Sequence, residues 1–426
     1  MGTPEFWMRV GRELGDDLAT DAPDRDRAGK PPYDEVARLR DSGLPTALMP
    51  PDTAPDTASD TASDTASGGT GGGTGGGTGG GLDWADACAV VRRIAAADGS
   101  MGELLGRHHV LSWSARFFAA PERVSPLEAR AVREQWLWAG GTGPAGADGP
   151  SRPGDGGACL VLAPATGGFL LNGQRTLATA VDVADRFVLD AVCASSGESL
   201  VVLVDPRHPG VGRAPLTDRF GQRLAGAGTV RFDDVPIGVD DVLGTAAFDE
   251  DTAVPFATVA PLALRLMLAH VALGVAEGAL AEARELSLAA SHARPGSAME
   301  YLLAPPPGTD ADLLLAFGEL ALGVHGASAV VERATTAMAQ TLRTGRALDA
   351  RGRADTAALV AAAGAVTDRA ALRAGEGILE LAEADGLDRF WRNIRVLAGR
   401  GPTGPALRAI GDHFLYGGGG SPARWW

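Results

Sequence analysis

The chain has 426 residues and carries 53 acidic against 38 basic side chains, a formal charge of −15. That length accommodates one large domain or two to three smaller ones, and the acidic excess argues against nucleic acid or an anionic membrane as partner. Three widely spaced cysteines, Cys88, Cys159 and Cys193, give neither a disulfide framework nor metal-ligand spacing, so a cytoplasmic protein with a small-molecule or protein partner and no metal is expected.

In chain order, MGTPEF (residues 1–6) reads as a vector-derived scar and is set aside from the fold, and no later stretch reads as the unbroken apolar run that a bilayer requires. Residues 7–132 are expected to form an N-terminal helical domain. Its first clear helix is near Asp34 to Ser42, where Val36, Leu39 and Leu44 share a face. An insertion at 50–81, built of Thr/Asp/Ala/Ser repeats and glycine triplets, has too little apolar surface to offset the entropy of ordering, and is expected to be mobile. From Leu82 to Phe118, apolar residues at helical spacing on both sides of a DGS break predict two helices.

Residues 133–246 change character. QWLWAG, ACLVLAP, GGFLLNGQRTLAT, DRFVLDAVC, SLVVLVD and GTVRFDDVPI are short apolar or alternating runs between Gly, Asn, Asp and Pro turns, the pattern of a small antiparallel β domain. Residues 247–416 return to long Ala- and Leu-rich amphipathic runs, Ala263 to Ala290, Ala311 to Arg343 and Asp355 to Glu383, with a last helix near Pro405 to Leu415 and a tail at 417–426. The order predicts an α+β chain: helical domain, central β domain, C-terminal helical bundle.

Several segments carry a resemblance. FGQRLAGAGTVRFDDVPIGVDDVLG (220–244) resembles the end of the β domain in the acyl-CoA dehydrogenase superfamily, and GGFLLNGQRTLATA (167–180) its preceding hairpin, with an Asn-Gly turn and then a flavin-side strand. ADGSMGELLGRHH, FGQR, GELALGVHGASAVVERA, DRFWRN and IGDHFL are similar to the flavin-dependent monooxygenase branch, the dibenzothiophene monooxygenase and nitrososynthase kind, over nearly the whole chain outside the insertion.

That resemblance implies a set of site residues. Thr142, Thr179, Gly226, Gly228, Arg294, Arg389, Trp391, Arg392 and Asn393 are expected around the cofactor, reduced FMN or FAD. His108, His109 and Arg400 are the expected catalytic positions, with at most one of the adjacent histidines facing the pocket. Arg400 stands where many members carry histidine. A dehydrogenase of the superfamily needs a carboxylate base, but the two usual places for it fall on or beside Gly401 and near Leu264, and neither residue can take a proton.

The resemblance therefore implies a two-component monooxygenase. A separate flavin reductase supplies reduced flavin, a C4a-hydroperoxide forms with O2, and a small molecule, expected to be a secondary metabolite, is oxygenated in a homo-oligomer (dimer or tetramer). The rivals are an acyl-CoA dehydrogenase or flavin oxidase with an unusual base, and a degenerate relative that binds a ligand without turnover.

Overall fold

The computed structural model describes residues 3–49, 81–141, 160–246, 256–292, 311–381, 386–399 and 403–417. Of the expected insertion only Gly81, and of the tail only Gly417, fall within them. Four helices come first: α1 (Pro4–Ala19), α2 (Ala22–Ala28), α3 (Tyr33–Asp41) and α4 (Leu44–Ala47). Helix α1 starts inside the segment set aside as a scar. The Thr3 hydroxyl accepts the Phe6 N–H at 3.3 Å, a proline opens the first turn, and Trp7, Gly11, Leu14, Gly15 and Leu18 form a buried stripe at helical spacing.

Helices α5 (Trp84–Ala97) and α6 (Gly99–Ser112) are the expected pair around Asp98, followed by α7 (Ser114–Phe118) and α8 (Pro121–Arg133). Every residue of α6 is buried. Glycines make that possible, because a Cβ on Gly102 would stand 2.5 Å from the Ala95 side chain and one on Gly106 2.9 Å from Met267. Only a bare backbone lets α6 lie this close to both neighbours.

The β domain comprises β1 (Trp138–Gly141), β2 (Val161–Ala165), β3 (Gly168–Leu177), β4 (Arg186–Cys193), β5 (Ser199–Val204), β6 (Val211–Pro215), β7 (Gly228–Gly238) and β8 (Val242–Thr245). They form one sheet in the order β6-β7-β3-β2-β4-β5-β8, with β1 also on β4. Most pairs are antiparallel as expected, but β4 pairs parallel with both β1 and β2. The expected Asn-Gly turn is not a turn. Asn172-Gly173 lies inside β3, at a register shift against β7, where Asn172 exchanges two hydrogen bonds with Asp234 at 2.9 and 3.0 Å. A bulge accommodates the glycine without ending the strand.

Among the described residues five helices follow the sheet: α9 (Ala260–His292), α10 (Ala311–Thr344), α11 (Ala350–Leu381), α12 (Asp388–Ala398) and α13 (Thr403–Tyr416). Two of them are long and apolar enough to cross a bilayer, contrary to the expectation that no such run occurs. The α9 run (Ala257–Ala289) is 78% buried within the chain over its most apolar window, as a core helix should be, whereas the α10 run (Ala311–Ala347) is 22% buried.

Candidate functional site

Three of the quoted motifs meet at the N-terminus of α6. Asp98 caps the helix, its Oδ1 accepting the Ser100 and Met101 N–H groups at 3.0 and 3.1 Å, while Oδ2 takes Arg25 at 2.7 Å. The FGQR loop closes over this end: Leu224 N donates to Ser100 Oγ at 3.4 Å, and Gln222 N to Asn393 Oδ1 at 2.6 Å. Gln222 is fully buried with left-handed backbone (φ 55°), and neither atom of its side-chain amide has a partner. A strained residue with an unsatisfied buried amide is costly, which marks the junction as a place where a polar group could bind.

DRFWRN opens α12. Arg389 forms a two-pronged pair with Glu282 on α9 (3.0 and 2.5 Å), and Arg392 bonds Asp26 at 2.6 Å, Asp388 at 2.9 Å and the Phe220 carbonyl at 3.1 Å. Trp391 packs edge-on against Phe220, 5.3 Å between ring centres. The anions these arginines meet are thus carboxylates of the chain itself, and the cluster fastens α12 to α9, α2 and the FGQR loop.

Thr179, Gly226 and Gly228 come together where β3 ends and β7 begins. Thr179 is buried, and the two residues after it bind the glycine turn backbone to backbone, Ala180 N to Ala225 O and Val181 N to Gly226 O, both at 2.8 Å. Gly226 needs its freedom (φ 68°), and a Cβ there would stand 3.2 Å from the Ala180 nitrogen. Gly228 pairs with Leu177 at the end of β3. Thr142, Arg294 and Arg400 lie outside the described residues.

The far end of α6 carries the two histidines, both fully buried. His108 lies between the Pro45 carbonyl (2.6 Å from Nε2) and the Trp138 N–H (3.0 Å to Nδ1), and burial pushes it down to about 4. His109 has no partner on either nitrogen, and burial holds it well below the usual imidazole value. Neither ring is charged near neutrality.

Among positions considered for a base, Leu264 is half-buried on α9. The next residue, Arg265, acts electrostatically on Asp368 of α11, a carboxyl that burial pushes up to about 7. Sequence reasoning missed Gln222, Asp26, Glu282 and Asp368. The DGS cap was legible in principle, but an arginine's partner hundreds of residues away was not.

No family model matches the chain. It is similar over nearly its whole length to a probable FMNH2-dependent monooxygenase, SfnC, of Pseudomonas putida (26% identity, 97% of this chain and 95% of that one). It is likewise similar to a dibenzothiophene monooxygenase of Rhodococcus erythropolis (29% identity, 96% and 93%). Among solved structures, FMN-bound TdsC of Paenibacillus sp. A11-2 superposes with a TM-score of 0.80 at 24% identity, covering 96% of this chain and 97% of that one. Butyryl-CoA dehydrogenase of Megasphaera elsdenii gives 0.72 at 18% identity over 97% and 98%. At these identities the superpositions establish the acyl-CoA dehydrogenase-like fold, and the curated relatives are named as monooxygenases, one of them as a probable FMNH2-dependent enzyme.

Proposed function

We propose that the chain is a monooxygenase that binds reduced FMN and uses O2 to oxygenate a small molecule. The observation that carries this reading is the near-full-length match to FMNH2-dependent and dibenzothiophene monooxygenases. The fit of a flavin rests on donors and acceptors in the chain. The Gln222 amide can both donate and accept and has no partner, Thr179 is a buried residue whose two successors pair with the glycine turn, and a glycine turn suits a phosphate.

Bound reduced flavin supplies two electrons and two protons, so that one oxygen atom bonds to the substrate and the other leaves as water. The chain's task is to orient and enclose. Helix α6, buried along its whole length, keeps water from β1, against which it packs, and neutral His109 has an N–H available for a bound oxygen. No carboxylate is required, because no proton is taken from a substrate carbon. The sulfur heterocycle in one relative's name suggests a substrate with a nucleophilic heteroatom.

Because the relative SfnC is named for its dependence on FMNH2, flavin that arrives already reduced, reduction is assigned to a separate reductase. A homo-oligomer, dimer or tetramer, is supported by α10, on which Leu314, Leu315 and Leu322 are 60%, 63% and 74% exposed.

The test supplies chemically reduced FMN, isotopically labelled O2 and candidate sulfur or nitrogen heterocycles. One labelled atom in the product is expected. Stoichiometric hydrogen peroxide with every substrate indicates an oxidase, bleaching of bound FAD by acyl-CoA a dehydrogenase, and lack of flavin binding the degenerate relative. Thr179→Val, which removes a hydroxyl at nearly constant volume, should weaken FMN binding roughly tenfold, as loss of a hydrogen bond does.

A further inference from the structure

Two consecutive histidines on α6 have opposite surroundings. Both rings are fully buried and lie 5.4 Å apart, centre to centre. His108 spends both nitrogens on main chain: Nε2 on the Pro45 carbonyl of α4 at 2.6 Å, and Nδ1 on the Trp138 N–H that begins β1 at 3.0 Å. His109 spends neither.

A carbonyl only accepts and a main-chain N–H only donates. The two bonds therefore fix one protonation state, a neutral ring with its hydrogen on Nε2 and a lone pair on Nδ1. To carry a proton, His108 would have to release one of two buried main-chain groups, each costly to leave unpaired. The same ring links three elements: α4 at the rim of the insertion, α6, and β1, whose four residues are all buried. Leu82 N donates to Ala47 O at 2.9 Å, so the chain returns from the insertion onto α4 itself.

We propose that His108 is a positioning residue that holds β1 and α4 against α6 in a single fixed tautomer, and that His109 is the imidazole left available to a bound group. Beyond the tautomer, the consequence for flavin rests on the monooxygenase reading. The clamp sets where β1 begins. Trp138 pairs with Arg186 of β4 on one side while its N–H is held by His108.

The experiment uses the full chain. Histidine is labelled with nitrogen-15, and the ring signals are followed from pH 5.5 to 8, with His108 assigned by comparison with His108→Asn. A nitrogen spectrum of the Nε2–H tautomer that does not titrate in this range is expected. Amide exchange at Trp138 and the affinity for oxidised FMN are measured in parallel. His108→Ala should speed exchange at Trp138 and weaken FMN binding roughly tenfold, the effect of one buried hydrogen bond. His108→Asn, whose Oδ1 can accept the Trp138 N–H, should recover most of both. An Nδ1–H tautomer, a titration between pH 5.5 and 8, or His108→Ala with unchanged Trp138 exchange overturns the proposal. Because tautomer and exchange are read without turnover, failure of the monooxygenase reading leaves a separate signature: an intact clamp in a protein that oxygenates nothing.

Discussion

Helices α9 and α10 are nearly equal in length and apolar character, with mean hydropathies of 1.8 and 1.6 over their most apolar windows, yet the chain buries 78% of one window and 22% of the other. Composition does not separate them; neighbours do. Helix α9 lies so close to α5 that its glycines touch main chain: a Cβ on Gly278 would stand 1.9 Å from the Ala96 carbonyl oxygen, and one on Gly274 2.2 Å from that of Arg92. On α10, a Cβ on Gly318 or Gly326 meets nothing within 4 Å. The same residue type marks a fitted contact on one helix and open space on the other, so among the described residues α9 is completed and α10 is left uncovered.

The largest effect should come from breaking the closed side. Gly278→Val forces a branched side chain into main chain that cannot yield, and a loss of several kcal/mol, or failure to fold, is expected from overpacking. Urea unfolding of Gly278→Val beside Gly278→Ala measures it, and the smaller substitution should lose less.

The open side should respond in assembly and not in fold. Changing Leu314, Leu315 and Leu322 together to Gln removes the most exposed leucines of α10. Light scattering should then report the mass of a single chain, with the far-ultraviolet dichroism unchanged. An oligomer that survives the triple change would show that the covering partner lies on another face.

How much of this was legible beforehand depends on range. The periodic helices from Leu82 onward and the short alternating strands were readable because their signals repeat within a dozen residues. Helix α1 was lost by setting aside residues 1–6, although Trp7, Leu14 and Leu18 carry its stripe. Strand β6 was missed because its five residues, VGRAP, include no alternation of apolar side chains. Asn172-Gly173 was taken for a turn because local chemistry does not distinguish a turn from a bulge within a longer ladder. At the site, ADGS, FGQR and DRFWRN were each singled out, and they do converge. Their partners were not readable: Arg389 meets Glu282 across 107 positions and Arg392 meets Asp26 across 366, and no local period encodes such pairs.

The seam between the two helices gives a smaller, pH-dependent effect. His270 of α9 bonds Thr335 of α10 (2.7 Å), its other nitrogen has no partner, and burial pushes it down to about 3. The folded state therefore resists protonation that the unfolded chain accepts near 6.5. Stability contributed by the neutral ring is present above that value and is lost as pH falls toward 3. Each such ring steepens the fall by about 1.4 kcal/mol per pH unit within that window. His108 acts in the same direction down to about 4. His270→Asn should flatten the slope of unfolding free energy between pH 6 and 4 by the contribution of one ring, in urea titrations at fixed salt.

The smallest effect sharpens the contrast most directly. Gly326 is exposed on α10, four residues after Leu322 and so on the same face, with open space where a Cβ would go. In a chain dissociated by the leucine changes, Gly326→Ala replaces the poorest non-proline helix former with the best, and a gain of up to about 1 kcal/mol is expected. In an assembly built through α10, as proposed, the same methyl probes the partner. A gain of equal size means that the partner's main chain stays clear of Gly326. A loss means that it packs onto the glycine, just as the chain's own α5 packs onto Gly278, and the two long helices then differ only in whose backbone covers them.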